Sequence, residues 1–138
     1  MRLIAVILCL LAAPGAATAG DGFRIVVNAE NSVSSLSKST LRRIYLGQIT
    51  ELDGQRVVPI NLPLDSETAA AFLKEVVGKT PNEYKQYWVA RQIKGGGTAP
   101  MIQKNAKAVS ATIALVPGGI GYVPAGEETE DVKAVDTK

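Results

Sequence analysis

The sequence predicts one small α/β domain, and three observations support this prediction. The β-branched runs at Phe23–Val27 and at Val57–Ile60 are typical of buried strands. Between Ala69 and Val77 the apolar residues recur with the 3.6-residue period of an amphipathic helix. A third apolar run, Ile120–Val123, follows a Pro-Gly-Gly stop and predicts a core strand. Strands that alternate with helices over 138 residues are typical of a single α/β fold.

The first 19 residues are predicted to be a signal peptide. Arg2 precedes an apolar run, Leu3–Ala13, that is too short to span a bilayer, and Ala17-Thr18-Ala19 offers a small-x-small cleavage site. The protein is therefore expected to be periplasmic or secreted. Residues 20–125 are expected to form the domain. Residues 126–138 are expected to form an acidic tail, in which Val132–Val135 adds an edge strand before a frayed end.

Helix and turn signals follow the first strand. Ser37 or Ser39 is expected to cap a short helix that ends at Gly47 and whose apolar stripe is Leu41, Ile44 and Tyr45. Asp53-Gly54 predicts a turn into the second strand. Pro59 removes one ladder donor from that strand, which favours an edge position or an early end.

Two further helices are indicated in the second half of the chain. Thr80 as N-cap, Pro81 at the first helical position and Glu83 as capping-box partner predict a helix that runs to about Ile93. Its aromatic face is expected to pack in the core. The next helix is expected from about Lys104, and it is expected to be buried because it is nearly all apolar from residue 108 onwards.

The central helix is the candidate binding element. Asp65 or Ser66 is expected to cap it, so that Ser66–Thr68 forms a first turn whose backbone amides lack partners within the helix. Such a turn carries partial positive charge and can hold an anion through these amides and the hydroxyls of Ser66 and Thr68. The alternative is an ordinary cap without a ligand, because every helix needs one.

Other candidate binding residues lie in loops. Asn28 and Asn61 each end a predicted strand, and in open α/β sheets ligands lie beyond the carboxyl ends of strands, so both are expected near one crevice. Asn is also a common turn residue. The Gly95–Thr98 loop is expected nearby, with Gly96 allowing close backbone approach and Thr98 adding a hydroxyl; a hinge between helices is the alternative.

The composition argues against several function classes. The chain has no histidine, and its single cysteine is Cys9, within the predicted signal peptide. Histidine triads, histidine or thiolate metal sites and disulfides are therefore not expected, and the carboxylates show no pairing suited to acid–base catalysis. We expect a non-enzyme without metal or cofactor. The net charge of +2 does not suggest a nucleic-acid partner.

Several motifs in a fixed order resemble a known family. VSSLS, IYLG, the Asp65-Ser66-x-Thr68 turn, a helix that bears Trp88, and PGGIGYV resemble the phosphate-type substrate-binding proteins of bacterial ABC transporters between about Ile25 and Val123. The resemblance implies a periplasmic-binding-protein-like α/β lobe, a small mixed sheet flanked by about four helices. It also implies phosphate or another oxyanion as ligand and a membrane transporter as partner.

Two departures from the family pattern leave two functions open. The family turn usually carries an Arg and a Gly, whereas no Arg lies between Arg56 and Lys74 here and Glu67 stands at the Gly position. The chain also matches mainly one lobe of a two-lobed family. The first hypothesis is a solute-binding protein, with another chain or a second copy closing the site. The second is an accessory or sensory interaction protein that kept the fold and lost anion binding.

Overall fold

A computed structural model describes residues 22–138 and consists of a six-stranded mixed sheet, a small hairpin and four α-helices. The predicted signal peptide lies outside the described residues. The sheet strands are β1 Phe23–Asn28, β2 Ser35–Leu36, β5 Val58–Asn61, β6 Met101–Ile102, β7 Gly119–Pro124 and β8 Val132–Thr137, and the hairpin strands are β3 Glu51–Leu52 and β4 Gln55–Arg56. The helices are α1 Lys38–Tyr45, α2 Glu67–Phe72, α3 Pro81–Ile93 and α4 Ala106–Leu115.

The strand directions divide the sheet into two ends. The order is β2-β8-β1-β7-β5-β6, in which β1 is antiparallel to β7 and β8 and the other pairs are parallel. The carboxyl ends of β2, β5, β6, β7 and β8 therefore lie at one end of the sheet, together with the start of β1. The carboxyl end of β1 lies at the opposite end, which matters for the predicted site residues.

The local sequence signals for α1 and α3 are confirmed. The Ser37 hydroxyl accepts a hydrogen bond from the Thr40 amide, and Gly47 follows the helix with a φ of 74°. Thr80 and Glu83 form the capping box of α3, with Pro81 at its first position. The Asp53-Gly54 turn is also confirmed, because both residues have a positive φ and join β3 to β4.

The central helix differs from a regular α-helix. Six residues of α2 lead into a π-helical turn, Leu73–Val77, and Gly78 ends it in the left-handed conformation. The predicted apolar face is nevertheless buried, since all five of its residues are core residues: Ala69, Phe72, Leu73, Val76 and Val77. The widened turn changes which backbone groups pair but keeps this face against the sheet.

The core is built around Phe72 on one face of the sheet. Its ring stacks on Tyr122 with centroids 4.0 Å apart and meets the edges of Phe23 and Tyr45. The other face is covered by α4, because a side chain at Gly121 would collide with Val109 and Ile113 of that helix. Aromatic contacts of this kind add about 0.5–1.5 kcal/mol each to the effect of burial.

Two predicted features are wrong. The sequence predicts that α4 is buried, but only Val109 and Ile113 of this helix are buried, and Leu115 is exposed. Many residues of α4 are alanines, whose small side chains do not need burial. An apolar sequence therefore does not imply a buried helix here. The C-terminal residues are not a tail with an edge strand. Strand β8 lies between β2 and β1, with Val132 and Val135 in the core, so the expected domain end at residue 125 does not hold.

Within residues 22–138 no helix combines the length and apolar character needed to cross a membrane.

Candidate functional site

The predicted binding turn forms at the carboxyl end of β5. Ser66 has an extended backbone and caps α2: its hydroxyl accepts a hydrogen bond from the Ala69 amide at 3.2 Å. The same hydroxyl donates to the Pro63 carbonyl at 2.6 Å. Because a serine hydroxyl has one hydrogen, Ser66 has no side-chain donor left for a ligand. Its observed role is to cap the helix and fix the turn.

The next two residues keep the groups that an anion needs. Within the described residues the amides of Glu67 and Thr68 have no hydrogen-bond acceptor, whereas the Ala70 amide bonds to the Ser66 carbonyl. Thr68 is half-buried, and Glu67 is exposed, as is Asp65 before the cap. The turn therefore combines two amide donors that lack acceptors with two carboxylates that would repel an anion.

Asn61 lies beneath this turn and is fully engaged by the protein. Its side-chain amide donates to the Tyr84 hydroxyl at 3.1 Å, and its carbonyl oxygen accepts from the Tyr122 hydroxyl at 2.9 Å. The Tyr122 hydroxyl also accepts from the Leu62 amide. With 1 % of its surface exposed, Asn61 cannot contact a ligand directly. It instead fixes the end of β5, from which the binding turn departs.

Three buried tyrosines hydrogen-bond to Ile60 or Asn61 at the end of β5, and they hold their protons strongly. Burial raises the pKa of Tyr84 to about 12 and raises the pKa of Tyr122 as well. Burial, followed by repulsion from Tyr122 and Tyr84, also raises the pKa of Tyr45 well above its usual value. The Tyr45 hydroxyl donates to the Ile60 carbonyl at 2.8 Å. All three hydroxyls therefore keep their protons at physiological pH, and their hydrogen bonds hold the end of β5 in place.

Asn28 does not join this site. It ends β1, the strand that runs against its neighbours, so it lies at the opposite end of the sheet from Asn61. Its side-chain amide donates to three carbonyls at the end of α4, those of Ile113, Ala114 and Val116. The prediction that the two asparagines share one crevice is therefore wrong, because it assumed parallel strands.

Gly96 and Thr98 are also at the other end of β5. They line an open groove of about 770 Å³, formed by the loop after α1, by Arg56–Pro59 and by Gly96–Met101, with Trp88 at its base. Neither Ser66 nor Thr68 contributes to its walls. The expectation that this glycine loop lies beside the Ser66 turn is wrong.

The side chain of Arg91 connects the glycine loop to the rest of the domain. The Arg91 guanidinium donates to the Gly96 carbonyl at 2.7 Å and to the Gly47 carbonyl at 3.0 Å, and so ties the loop to the end of α1. A side chain at Gly96 would approach the Arg91 side chain within 2.5 Å. Sequence reasoning missed this clamp, because it joins residues that lie 44 positions apart.

The described part of the chain offers no metal site, since no three carboxylate, histidine or cysteine side chains within it could hold an ion together.

Comparison with known proteins supports the fold. The chain is similar to a protein from Clostridium perfringens, described as a phosphate ABC transporter substrate-binding protein with bound phosphate, at 21% identity and a TM-score of 0.68 over 85% of the chain. An ABC-type phosphate transport receptor from Vibrio cholerae gives 22% identity and a TM-score of 0.66. PstS from Borrelia burgdorferi gives 15% identity and 0.65. No family model and no curated protein sequence matches the chain.

These similarities confirm the predicted fold class, a periplasmic-binding-protein-like α/β lobe, and confirm at the level of the fold the resemblance to phosphate-type substrate-binding proteins. The chain spans about half the length of the structures it matches, 45% of the Clostridium protein and 46% of the Vibrio protein. The Clostridium protein is described as a substrate-binding protein and the Vibrio protein as a transport receptor.

Proposed function

We propose that the chain is an exported solute-binding protein that holds an oxyanion, with phosphate as the first candidate, at the start of α2. In this proposal the ligand accepts hydrogen bonds from the Glu67 and Thr68 amides and from the Thr68 hydroxyl. Ser66 and Asn61 act indirectly, because their polar groups are already bound within the protein. A membrane transporter is the proposed partner, by analogy with the descriptions of the similar proteins.

The observation that carries the proposal is the pair of amides without acceptors in the described residues at the carboxyl end of β5. A strand end that leads into a helix start is where α/β proteins place anionic ligands. The fold is similar to that of a protein described with phosphate bound, which supports the same ligand class.

The charges near the turn predict weak affinity. Glu67 and Asp65 are exposed carboxylates next to the two amides, and each would repel phosphate. Arg24 lies at this end of the sheet, but its guanidinium donates to the Ala125 carbonyl at 2.8 Å. Because the first turn is open on its outer side, the anion would also keep part of its water. A second copy or another chain that covers the turn would raise the affinity.

Asp65 and Glu67 also favour a second candidate function. Two carboxylates at a turn that would otherwise receive an anion are suited to an accessory or sensory protein that has given up anion binding and retains the fold for contact with another protein. This alternative predicts no binding of small oxyanions at any practical concentration.

Calorimetric titration with phosphate and with sulfate at low salt separates the two functions. The first predicts saturable heat at millimolar phosphate, and Glu67→Gln should strengthen binding because it removes the carboxylate but keeps the helix. Glu75→Gln is the matched control, since Glu75 is exposed on the π-helical turn, away from the amides.

Thr68→Val tests the proposed hydroxyl contact, because it keeps the shape of the side chain and removes its donor; binding should weaken several-fold. No heat from the wild type or from Glu67→Gln would exclude the solute-binding proposal and favour the accessory function. Equal affinities in Glu67→Gln and Glu75→Gln would show that the carboxylate at the turn does not control binding.

A further inference from the structure

The groove at the amino end of β5 has the size and the apolar surface of a small-molecule site. Its volume of about 770 Å³ lies within the range of ligand pockets in proteins, which is roughly 300–1,000 Å³. Half-buried apolar residues line it, among them Ile49, Val58 and Pro59, and Trp88 lies at its base. Such a surface can receive the hydrocarbon part of a ligand, because contact removes apolar area from water.

The glycine loop adds hydrogen-bond donors to this groove. Gly97 and Thr98 line the groove, and both are exposed. Their two amides and the Thr98 hydroxyl have no acceptor among residues 22–138. Three donors on neighbouring residues suit an acceptor with two oxygens, such as a carboxylate.

A positive charge lies directly behind the wall of the groove. The guanidinium of the half-buried Arg91 donates to the carbonyls of Gly47 and Gly96 and to the Tyr87 hydroxyl, so the acceptors that it contacts are all neutral. Gly47 and Gly96 both line the groove, and a side-chain carbon at either position would lie 3.3 Å from the Arg91 Nε atom. A partly buried cation with neutral acceptors favours an anion in the adjacent space.

The two charged residues of the lining offset each other. Glu51 and Arg56 are opposite residues of the β3–β4 hairpin, and both are exposed. The charge of Arg91 therefore decides the sign of the potential in the groove, which is positive. A ligand with a negative group is attracted to the groove, whereas an amine is repelled.

From the apolar surface, the free donors and this charge we infer that the groove binds a small amphipathic carboxylate. Its hydrocarbon tail lies on the apolar surface beside Trp88, and its carboxylate accepts hydrogen bonds from Gly97 and Thr98. Inorganic phosphate has no tail and gains nothing from the apolar surface. The inference does not depend on the proposed oxyanion site, because neither Ser66 nor Thr68 contributes to the groove.

Trp88 provides the measurement, because it is the single tryptophan of the chain and lies at the base of the groove. Titration of the purified chain with octanoate should change its fluorescence saturably. Half-saturation is expected at about 1 mM, since an open groove leaves one side of the ligand in water. Acetate lacks the tail and octylammonium has the opposite charge, so each should bind at least about tenfold more weakly.

Two exposed positions of the lining test the role of charge in opposite directions. Glu51→Gln removes a carboxylate and should strengthen octanoate binding about threefold, whereas Arg56→Gln should weaken it about threefold. Arg42→Gln is the matched control, because Arg42 is an exposed arginine of α1 outside the lining, and its affinity should equal that of the wild type. Circular dichroism of each variant verifies folding.

Amide-resolved NMR gives an independent measurement, in which octanoate should shift the Gly97 and Thr98 amides saturably. Absence of a saturable change in both fluorescence and these shifts would overturn the inference. Equal binding of octanoate and octylammonium would also overturn it, as would equal affinities in Glu51→Gln and Arg56→Gln. Failure of phosphate to bind at the start of α2 would contradict the proposed function and leave this inference standing.

Discussion

The two ends of β5 differ in how their polar groups are used. At the carboxyl end, Asn61 and the tyrosine hydroxyls bond to each other in a closed network, and the first turn of α2 keeps two amides without acceptors in the described residues. At the amino end, the chain between Gly96 and Met101 leaves an open groove of about 770 Å³ beside β5. The carboxyl end of β5, which is the more polar one, is filled by side chains of the protein, whereas the less polar amino end lies beside an open groove.

The cause lies partly in one proline. Strand β6 pairs with β5 at Ile60 and Asn61, and the next residue of β5 towards the amino end is Pro59. Because proline has no amide hydrogen, Pro59 cannot donate to the chain before β6, and the ladder ends there. Polar residues at a strand end therefore do not by themselves indicate an open crevice, and backbone breaks can be the better signal.

The largest expected effect is at the packed end. Phe72→Ala should destabilise the protein by about 4 kcal/mol, because it removes a fully buried ring and leaves a cavity between Tyr45 and Tyr122. Urea unfolding measures this loss. The control Leu115→Ala, at an exposed site, should change stability by less than about 0.5 kcal/mol. A loss below about 1 kcal/mol for Phe72→Ala, which is close to the effect of a surface substitution, would contradict the packing described.

The variant Gly118→Ala tests whether the amino end of β5 also contains a tight contact. A side-chain carbon at Gly118 would lie 1.8 Å from the Arg56 carbonyl oxygen, and a backbone atom cannot easily move away. We expect Gly118→Ala to cost about 3 kcal/mol. Gly126→Ala, where nothing lies within 4 Å, should be tolerated. Equal unfolding midpoints for the two variants would show that Gly118 and the Arg56 carbonyl approach each other less closely than described.

The Asn61 network predicts a smaller loss. Asn61→Ala removes the partner of two buried hydroxyls, those of Tyr84 and Tyr122, and should lower the free energy of unfolding by about 2 kcal/mol. Asn82→Ala, at an exposed position of α3, is the matched control and should have little effect. If the two variants are equally stable, the network does not hold the end of β5.

The smallest expected effect is a loss of folding stability that begins at alkaline pH. The pKa of Tyr84 is about 12 in the folded protein, whereas an unfolded tyrosine loses its proton near pH 10. Below pH 10 both states keep the proton and stability is unaffected. Above it the unfolded state ionises first, so stability falls as pH rises towards 12. Unfolding midpoints measured in urea should be level up to about pH 9 and then decline, and Tyr84→Phe should reduce this decline.

Local signals predicted much of the fold, and long-range pairing limited the rest. The caps at Ser37, Ser66 and Thr80 depend on residues three positions apart, so the sequence contains them directly. The direction of β1 depends on partners about a hundred residues away, and it decides which end Asn28 occupies. For the same reason the sequence could not place β8 inside the sheet.

The candidate site could likewise be predicted only where it depends on the local sequence. The capped turn at Ser66 follows from the local sequence, whereas the bonds that engage Asn61 and fix Gly96 come from Tyr84, Tyr122 and Arg91 on other elements. The donors proposed for the ligand, the Thr68 hydroxyl and the amides of Glu67 and Thr68, have no partner within the described residues.

The most direct test of the proposed function is an amide-resolved NMR titration of the chain with phosphate at low salt. The account predicts saturable shifts of the Glu67 and Thr68 amides, with little change at Gly96 and Thr98 in the groove. Shifts confined to the groove, or no shifts at the start of α2 at millimolar phosphate, would contradict it.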